Sequence, residues 1–257
     1  DLDNAFVPGG KEGYYDASGA QFAIAVSNPP DSPLAAVVKV FQKNTGDSTE
    51  QEVPFDVDGN PMEPVELQPG DLHVYRLPRR DVNGTTLAPL AYRVESDVPI
   101  IAYQFNPMEN ENVFSNDASL LLPSALLGRD YVVMTREQTF EILRGFITVV
   151  AVMEGETTVS VEISDGPTLA GYEYPGAPEE EEIPIMYAGE TRMFKLQQYD
   201  VLNIETNRPG ADLTGTRVLS DQRVAVFGGS EAANAPNDAR CIDIDPDTNK
   251  GVCEYDG

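Results

Sequence analysis

The sequence predicts an all-β protein made of two related β-sandwich modules of the jelly-roll or immunoglobulin-like type. Many short, β-branched segments alternate apolar and polar residues with period two. The segments between them are rich in turn formers, such as NPPDSP, QPGD and NRPG. Helical periodicity is scarce, and one phrase of the sequence occurs twice. Together these features are typical of sandwiches with short strands.

The repeated phrase is Arg-Val-x-Ser-Asp followed by an alternating apolar run, at 93–105 and 217–229. Four further segments match in the same order: DNAFVP with NDASLLLP, FAIAVSN with FITVVAV, AAVVKVF with TTVSVEI, and QPGDLHVYRLP at 68–78 with YAGETRMFKL at 187–196. The ordered matches predict a duplication, with modules at 1–110 and 111–240 and a tail at 241–257. The alternative is that two Thr- and Val-rich sandwiches align this loosely without duplication.

The repeated phrase has a structural interpretation. Its Ser-Asp pair can form a turn by bonding nearby backbone amides, which delivers the chain into a core strand. Arg93 and Arg217 are then expected to be strand residues that pair with acidic neighbours. Because the phrase recurs, it indicates structure rather than a unique active site.

Charge limits the classes of partner. Asp and Glu number 43 against 17 Lys and Arg, which gives a formal net charge of −26. Such a surface repels phosphate backbones and anionic lipid, so we expect neither nucleic acid nor a membrane surface as a partner. The longest apolar run, FITVVAVM from Phe146, has the length of a strand and is too short to span a bilayer. We expect any secretory signal to have been removed or to lie upstream.

A family resemblance arises at the same residues. The phrases AYRVESDVPIIAYQFNP, SNDASLLLP, LRGFITVVAV and DLTGTRVLSDQRVAVFGG, with the following NAP, resemble the N-terminal domain of the IgGFc-binding protein family in its bacterial form. The resemblance implies a secreted, non-catalytic interaction domain of a longer protein. It does not imply that this chain binds Fc, since no Fc-contacting motif can be carried across.

Residues with catalytic chemistry are sparse. The single histidine, His73, lies in a strand-like segment, and an ordinary strand residue is the expected role. The GGS at 228–230 lacks the strand–turn–helix context of a nucleophile elbow. A glycosidase uses a pair of carboxylates. In a chain with 43 acidic residues, however, two that lie close together in sequence do not indicate such a site unless their geometry is known. PEEEE at 178–182 is expected to be a solvated loop.

The tail carries the strongest site signal. Cys241 and Cys253 either form a disulfide, as suits an oxidising compartment, or are two reduced thiols. Between and beside them, oxygen-bearing side chains follow the spacing of a calcium loop: Asp243, Asp245, Asp247, Asn249 and Glu254. Thr248 occupies the position where that loop prefers glycine, and no flanking helices are evident. The predicted site is therefore calcium in a disulfide-clipped tail, with a metal-free acidic loop as the alternative and no other cofactor expected.

These features favour a non-catalytic extracellular or cell-surface adhesion domain that presents loops to a protein or glycan partner. One alternative is a carbohydrate-active protein, either a sugar-binding module or a glycoside hydrolase. The absence of Trp weakens that alternative, and 11 Tyr keep it open. Another is a structural spacer or filament subunit, which homotypic pairing of exposed edge strands would favour.

Overall fold

The computed structural model describes residues 20–109, 116–139, 143–175 and 177–231, together with the backbone of short strands at 6–8, 14–16, 241–244 and 251–253. Within this part of the chain the structure is all-β, apart from one short 3-10 helix at Ser124–Leu126. The main sheets enclose two separate apolar cores, which confirms the predicted fold class. No helix in the described residues is long and apolar enough to cross a membrane.

The first module encloses its core between two sheets. One sheet has the spatial order β11 (Asp117–Leu120), β10 (Ile101–Asn106), β3 (Ala23–Ser27), β7 (Leu72–Arg76). In the other sheet, β5 (Gln51–Glu52), β6 (Val65–Leu67) and β9 (Tyr92–Ser96) all pair with β4 (Ala36–Gln42). Alternate residues of β4 point inward, so Ala36, Val38 and Val40 are buried.

The second module repeats this arrangement with a larger sheet. One sheet has the order β12 (Asp130–Val132), β19 (Arg217–Ser220), β14 (Glu156–Glu162), β17 (Thr191–Gln197). The other has the order β16 (Glu182–Ile183), β15 (Gly171–Glu173), β8 (Thr86–Pro89), β18 (Asp200–Glu205), β13 (Gly145–Ala151), β20 (Val224–Ser230). Two hairpins complete the strands: β1 (Phe6–Pro8) with β2 (Tyr14–Asp16), and β21 (Cys241–Ile244) with β22 (Gly251–Cys253).

The strand order shows the duplication. In the first module β3 lies between β7 and β10, and in the second β13 lies between β18 and β20. Likewise β4 pairs with β6 and β9, and β14 pairs with β17 and β19. The strands that carry Arg93 and Arg217 therefore occupy the same place in their sheets.

The aspartate of the repeated Ser-Asp has the same role in both modules. Asp97 Oδ1 accepts a hydrogen bond from the backbone N–H of Val37 at 2.7 Å, and Asp221 Oδ1 accepts one from Thr158 at 2.9 Å. Each aspartate thus fastens the turn that follows β9 or β19 to the adjacent strand, β4 or β14. The prediction that the pair bonds backbone amides is confirmed for the two aspartates. It is wrong for the serines, since Ser220 Oγ donates to the carbonyls of Arg129 and Gln222, and Ser96 Oγ has no hydrogen-bond partner among the described residues.

One predicted match is wrong. The segment QPGD, before β7, is equivalent to Gln197–Asp200, before β18, and 187–196 is not its counterpart. In both turns the aspartate side chain accepts from the backbone N–H of the glutamine, at 2.9 Å for Asp71 and 2.7 Å for Asp200. The third residue has positive φ in both turns, 93° at Gly70 and 81° at Tyr199. The sequence did not indicate this match because the second turn has a tyrosine at the position where positive φ favours glycine.

Two strands cross the predicted division at residue 110. β8 comes from the first half of the chain but pairs with β18 of the second module, antiparallel, and with β15, parallel. β11 comes from the second half but pairs with β10 of the first module. The backbones of β15 and β8 approach so closely that a Cβ at Gly171 would lie 1.5 Å from the carbonyl oxygen of Thr85. The boundaries 1–110, 111–240 and 241–257 stay a prediction.

Candidate functional site

The predicted calcium loop lies largely outside the described residues. This applies to Asp245, Asp247, Asn249 and Glu254, whereas Asp243 belongs to β21. Cys241 and Cys253 are partners in the ladder between β21 and β22. The disulfide and the calcium site stay predictions. Among the described residues, no group of three or more His, Cys, Asp or Glu side chains is placed to hold a metal ion.

The other residues considered for catalysis have structural roles. His73 pairs with Val26 across the sheet, its ring lies edge-on to Tyr75 at 4.5 Å, and burial lowers its pKa. The glycines of GGS allow close packing in β20. A Cβ on Gly228 would lie 2.2 Å from the Met134 carbonyl oxygen, and one on Gly229 would lie 2.4 Å from the Phe146 ring. In the PEEEE segment, the exposed Glu182 begins β16.

A cavity of about 820 Å³ lies between the two modules. The first module lines it with apolar residues of β9 and β10 and of the segments around them, including Val94, Val98, Ile100 and Ala102. The second module contributes the outward face of its six-stranded sheet, including Thr148, Val150, Val201, Ala225 and Phe227. Of the described side chains that line this cavity, Arg93 is the only one that is charged. We call this cavity the inter-module cleft.

A hydrogen-bonded cluster joins the modules beside the cleft. Arg93 donates to the two carboxylate oxygens of Glu50 at 2.6 and 3.0 Å, and its Nε lies 3.1 Å from the hydroxyl of Tyr199. The Tyr199 hydroxyl also donates to Glu50. Behind the pair, the Arg93 guanidinium lies 4.3 Å from the centre of the Phe41 ring. The predicted pairing of Arg93 with an acidic neighbour is confirmed, and Arg217 likewise pairs with Asp130 at 2.9 Å.

The electrostatics of the cluster fix its protonation. The hydrogen bond from Arg93 lowers the pKa of Glu50, so Glu50 is ionised at neutral pH. Burial raises the pKa of Tyr199, whose hydroxyl therefore stays a hydrogen-bond donor. A smaller hollow of about 490 Å³ adjoins this cluster and is lined by Glu50, Glu95 and Glu154 as well as Arg93. The cleft is thus apolar inside and acidic at the side where this hollow opens.

Two tyrosines with positive φ hold the β8 segment against the second module. They are the non-glycine residues with positive φ among the described residues, Tyr174 at 51° and Tyr199 at 81°. The backbone N–H of Tyr174 donates to the Leu87 carbonyl at 2.5 Å, and the Tyr199 carbonyl accepts from the backbone N–H of Ala91 at 3.1 Å. Such conformations are costly for bulky residues and persist where the surroundings determine them. Here the Tyr199 side chain reaches Arg93 and Glu50 of the first module, and the Tyr174 hydroxyl donates to Asp200.

Asp200 and Glu173 have raised pKa values, and each has a structural explanation. Burial raises the pKa of Asp200, which accepts hydrogen bonds from the Tyr174 hydroxyl at 2.8 Å and from the backbone of Gln197. Its turn position is the one that Asp71 occupies in the first module. Burial also raises the pKa of Glu173, on β15, and the nearby Glu181 adds to the shift. Neither carboxyl lines the inter-module cleft.

Part of this site could be predicted from the sequence. The repeated phrase indicates Arg93, whereas it does not indicate the partners Glu50 and Tyr199, which lie 149 positions apart. The one available signal was the Gln-x-x-Asp shared by the turns at 68–71 and 197–200. That signal places Tyr199 where the first module has a glycine with positive φ.

Comparison with known proteins bears on the second half of the chain. The family model described as IgGFc binding protein matches residues 117–247, just over half of the chain. The matched span begins with β11 and includes β12 through β20. No curated protein and no solved structure was found to match. The match confirms the resemblance read from the sequence, and the chain belongs to the IgGFc-binding protein family.

Proposed function

We propose that this chain is a non-catalytic binding domain of an extracellular adhesion protein, and that its inter-module cleft receives the partner. The observation that carries the proposal is the cleft itself, an apolar concavity of about 820 Å³ in which Arg93 is the single charged side chain among the described lining residues. Concave apolar surfaces with a few oriented polar groups are the usual form of a binding site. Membership of the IgGFc-binding protein family supports binding as the function.

The chemistry of the cleft supports binding over hydrolysis. A glycosidase needs two carboxyl groups on opposite sides of its substrate, one of them held protonated as the general acid. No Asp, Glu, His or Cys is among the described side chains that line the inter-module cleft. In the adjoining hollow, the hydrogen bond from Arg93 lowers the pKa of Glu50, which is opposite to what a general acid requires.

The lining also favours a protein over a glycan as the partner. Sugars are commonly held by hydrogen bonds and by the flat faces of aromatic rings, whereas this lining is dominated by aliphatic side chains such as Val94, Val150 and Val201. We therefore expect apolar side chains of a protein partner to enter the cleft. A carbohydrate-active function remains the alternative that the same experiment tests.

The experiment compares wild type with one variant that fills the cleft and one that does not. Ala225→Trp places a large side chain in the cleft, and Ala188→Trp places it on an exposed turn. All three proteins are screened on an array of secreted proteins, which includes IgG Fc because the family carries that name, and on a glycan array. We expect protein hits that Ala225→Trp abolishes and Ala188→Trp retains. Hits that survive Ala225→Trp, hits confined to glycans, or turnover of a glycoside would contradict the proposal.

A further inference from the structure

The internal duplication reveals an open strand edge in the first module. In the second module, the edge of β18 is covered by β8, whose residues pair with Asp200, Val201, Leu202 and Asn203. The equivalent strand in the first module is β7, which ends its sheet in the part of the chain that the structure describes. The shared turn sets the equivalence, since Asp71 corresponds to Asp200. The uncovered stretch is therefore Asp71–Val74.

At their C-terminal ends, the outer edges of β7 and β18 form equivalent backbone hydrogen bonds. The carbonyl of Arg76 accepts from the backbone N–H of Val57 at 3.0 Å, and the equivalent carbonyl of Glu205 accepts from Leu169 at 2.7 Å. The loop before β6 thus covers the end of β7 just as the loop before β15 covers the end of β18. Among the described residues, no strand pairs with β7 in the way that β8 pairs with β18.

The backbone of β7 is oriented to accept such a strand. The backbone groups of alternate residues in a strand point to the same side. Because the Arg76 carbonyl points away from β3 to reach Val57, the N–H and C=O groups of Val74 and Leu72 also point to the open edge. Unpaired edge groups of this kind are a template for strand addition.

The outer face of the same sheet is apolar beside this edge. Leu72 is 65% exposed, and on β10 and β11 the exposed side chains of Ile101, Tyr103 and Leu120 continue the surface. The register places Leu72 in line with Ile101, and Val74 in line with Tyr103 and Leu120. The equivalent face of the second module forms a wall of the inter-module cleft. A segment that pairs with β7 therefore has an apolar surface for its alternate side chains.

We infer that Asp71–Val74 is a binding site for an extended, apolar segment of a partner protein with basic flanking residues, added as a strand beside β7. The segment is expected to bind as β8 does in the second module, where β8 pairs with β18 and all four of its residues are buried. Charge selects the partner. A chain with a net charge of −26 repels a second copy of itself, and Asp71 and Glu66 lie at the start of the open stretch, so a basic segment is favoured.

The test uses a synthetic peptide with the sequence of residues 85–91, Thr-Thr-Leu-Ala-Pro-Leu-Ala, preceded by two lysines. The peptide is titrated into the full chain while backbone amide signals are followed by nuclear magnetic resonance. We expect saturable shifts at Leu72 and Val74. An N-methylated peptide of the same sequence should bind at least tenfold more weakly, since it cannot form the ladder.

Two variants and a matched control locate the site. Val74→Pro removes an outward N–H without removing a bond to β3, and Leu72→Lys places a charge at the edge, so each should weaken peptide binding at least tenfold. Met193→Lys changes a side chain of similar exposure, 68% against 65%, on β17 of the second module and should have no effect. Ala225→Trp should also leave binding unchanged, which separates this site from the inter-module cleft.

Three results would overturn the inference. The first is an absence of shifts at Leu72 and Val74 at millimolar peptide. The second is equal binding by wild type and by folded Leu72→Lys. The third is a wild-type dimer, seen by sedimentation, that Leu72→Lys dissociates, because the edge would then be occupied by a second copy.

Discussion

Arg93 of the first module and Tyr199 of the second are joined by a hydrogen bond of 3.1 Å, and both contact Glu50. The three side chains come from β9, from the residue before β5 and from the residue before β18. The tyrosine that completes the cluster is 2% exposed and has positive φ. The contact between the modules therefore depends on a turn conformation that the sequence does not favour locally.

Loss of the Tyr199 hydroxyl should loosen this contact. Tyr199→Phe keeps the buried ring and removes a donor to Glu50, so we expect the free energy of unfolding to fall by about 1–2 kcal/mol. Urea denaturation followed by circular dichroism measures the change. Tyr187→Phe, at an exposed position, is the control and should unfold like wild type. Equal stability of wild type and Tyr199→Phe would show that the hydrogen bond contributes nothing.

Acid should remove the contribution of Glu50. Its pKa in the folded chain lies below the ordinary value of 4.5 because Arg93 donates to it. Ionised Glu50 therefore stabilises the folded state at pH values above about 4.5, and this stabilisation is lost as pH falls through the lower folded pKa. The stability difference between wild type and Glu50→Gln should be largest at pH 7 and shrink towards pH 3. Glu63→Gln, at an exposed position, is the control variant, and a Glu50→Gln difference that grows on acidification would contradict the assigned shift.

The two repeated aspartates should contribute equally. Asp97→Ala and Asp221→Ala each remove an acceptor for one backbone N–H, and each should cost about 1 kcal/mol of unfolding free energy. Asparagine at either position keeps an acceptor and should restore most of the loss. Asp31→Ala serves as the control on an exposed turn. If one alanine variant is costly and the other neutral, the two turns are not equivalent.

Cys241 and Cys253 should be joined by a disulfide. They are opposite each other in the ladder of β21 and β22, and opposite residues in antiparallel strands are separated by a distance that a disulfide can bridge. Closing so short a loop removes about 3 kcal/mol of chain entropy from the unfolded state. Thiol titration of the denatured, unreduced chain should find no free thiol, and Cys253→Ser should expose one. Two titratable thiols in wild type would eliminate the bridge.

Calcium should raise the melting temperature of the chain. Asp243, Asp245 and Asp247 lie close together in sequence, and their mutual repulsion is relieved if a cation binds among them. A ligand that binds only the folded state stabilises it, so melts with calcium and with chelator should differ. Asp245→Asn combined with Asp247→Asn should abolish the difference, whereas Glu154→Gln should preserve it. A wild-type melting temperature indifferent to calcium leaves the predicted metal site without support.

The fold class could be predicted because burial on one face of a strand imposes a period of two on the residues themselves. The duplication could be predicted for a similar local reason. Asp97 and Asp221 each fasten a turn to a neighbouring strand, so the phrase that contains them is retained in both modules. The strand β8 could not be predicted in this way. Its sequence, Thr-Leu-Ala-Pro, is buried by strands of the other module, and no local pattern indicates such a pairing.

The candidate site was less predictable than the fold. Glu50 and Tyr199 meet only in the folded chain, and nothing in the residues around either one indicates the other. Tyr199 also concealed its own turn, because tyrosine is rare at positive φ and the glycine of the first module is the residue expected there. The inter-module cleft depends on how two sheets face each other, which is a property of the pair of modules and not of any segment.

The exchange of β8 and β11 bears on how this chain can change over evolutionary time. Each module holds a strand that comes from the other half of this sequence, so a cut between the halves would leave both sheets incomplete. If recombination moved one half of the sequence into another protein, the half left behind would lack one strand of its sheet. The smallest portion that keeps both sheets complete is therefore the pair of modules.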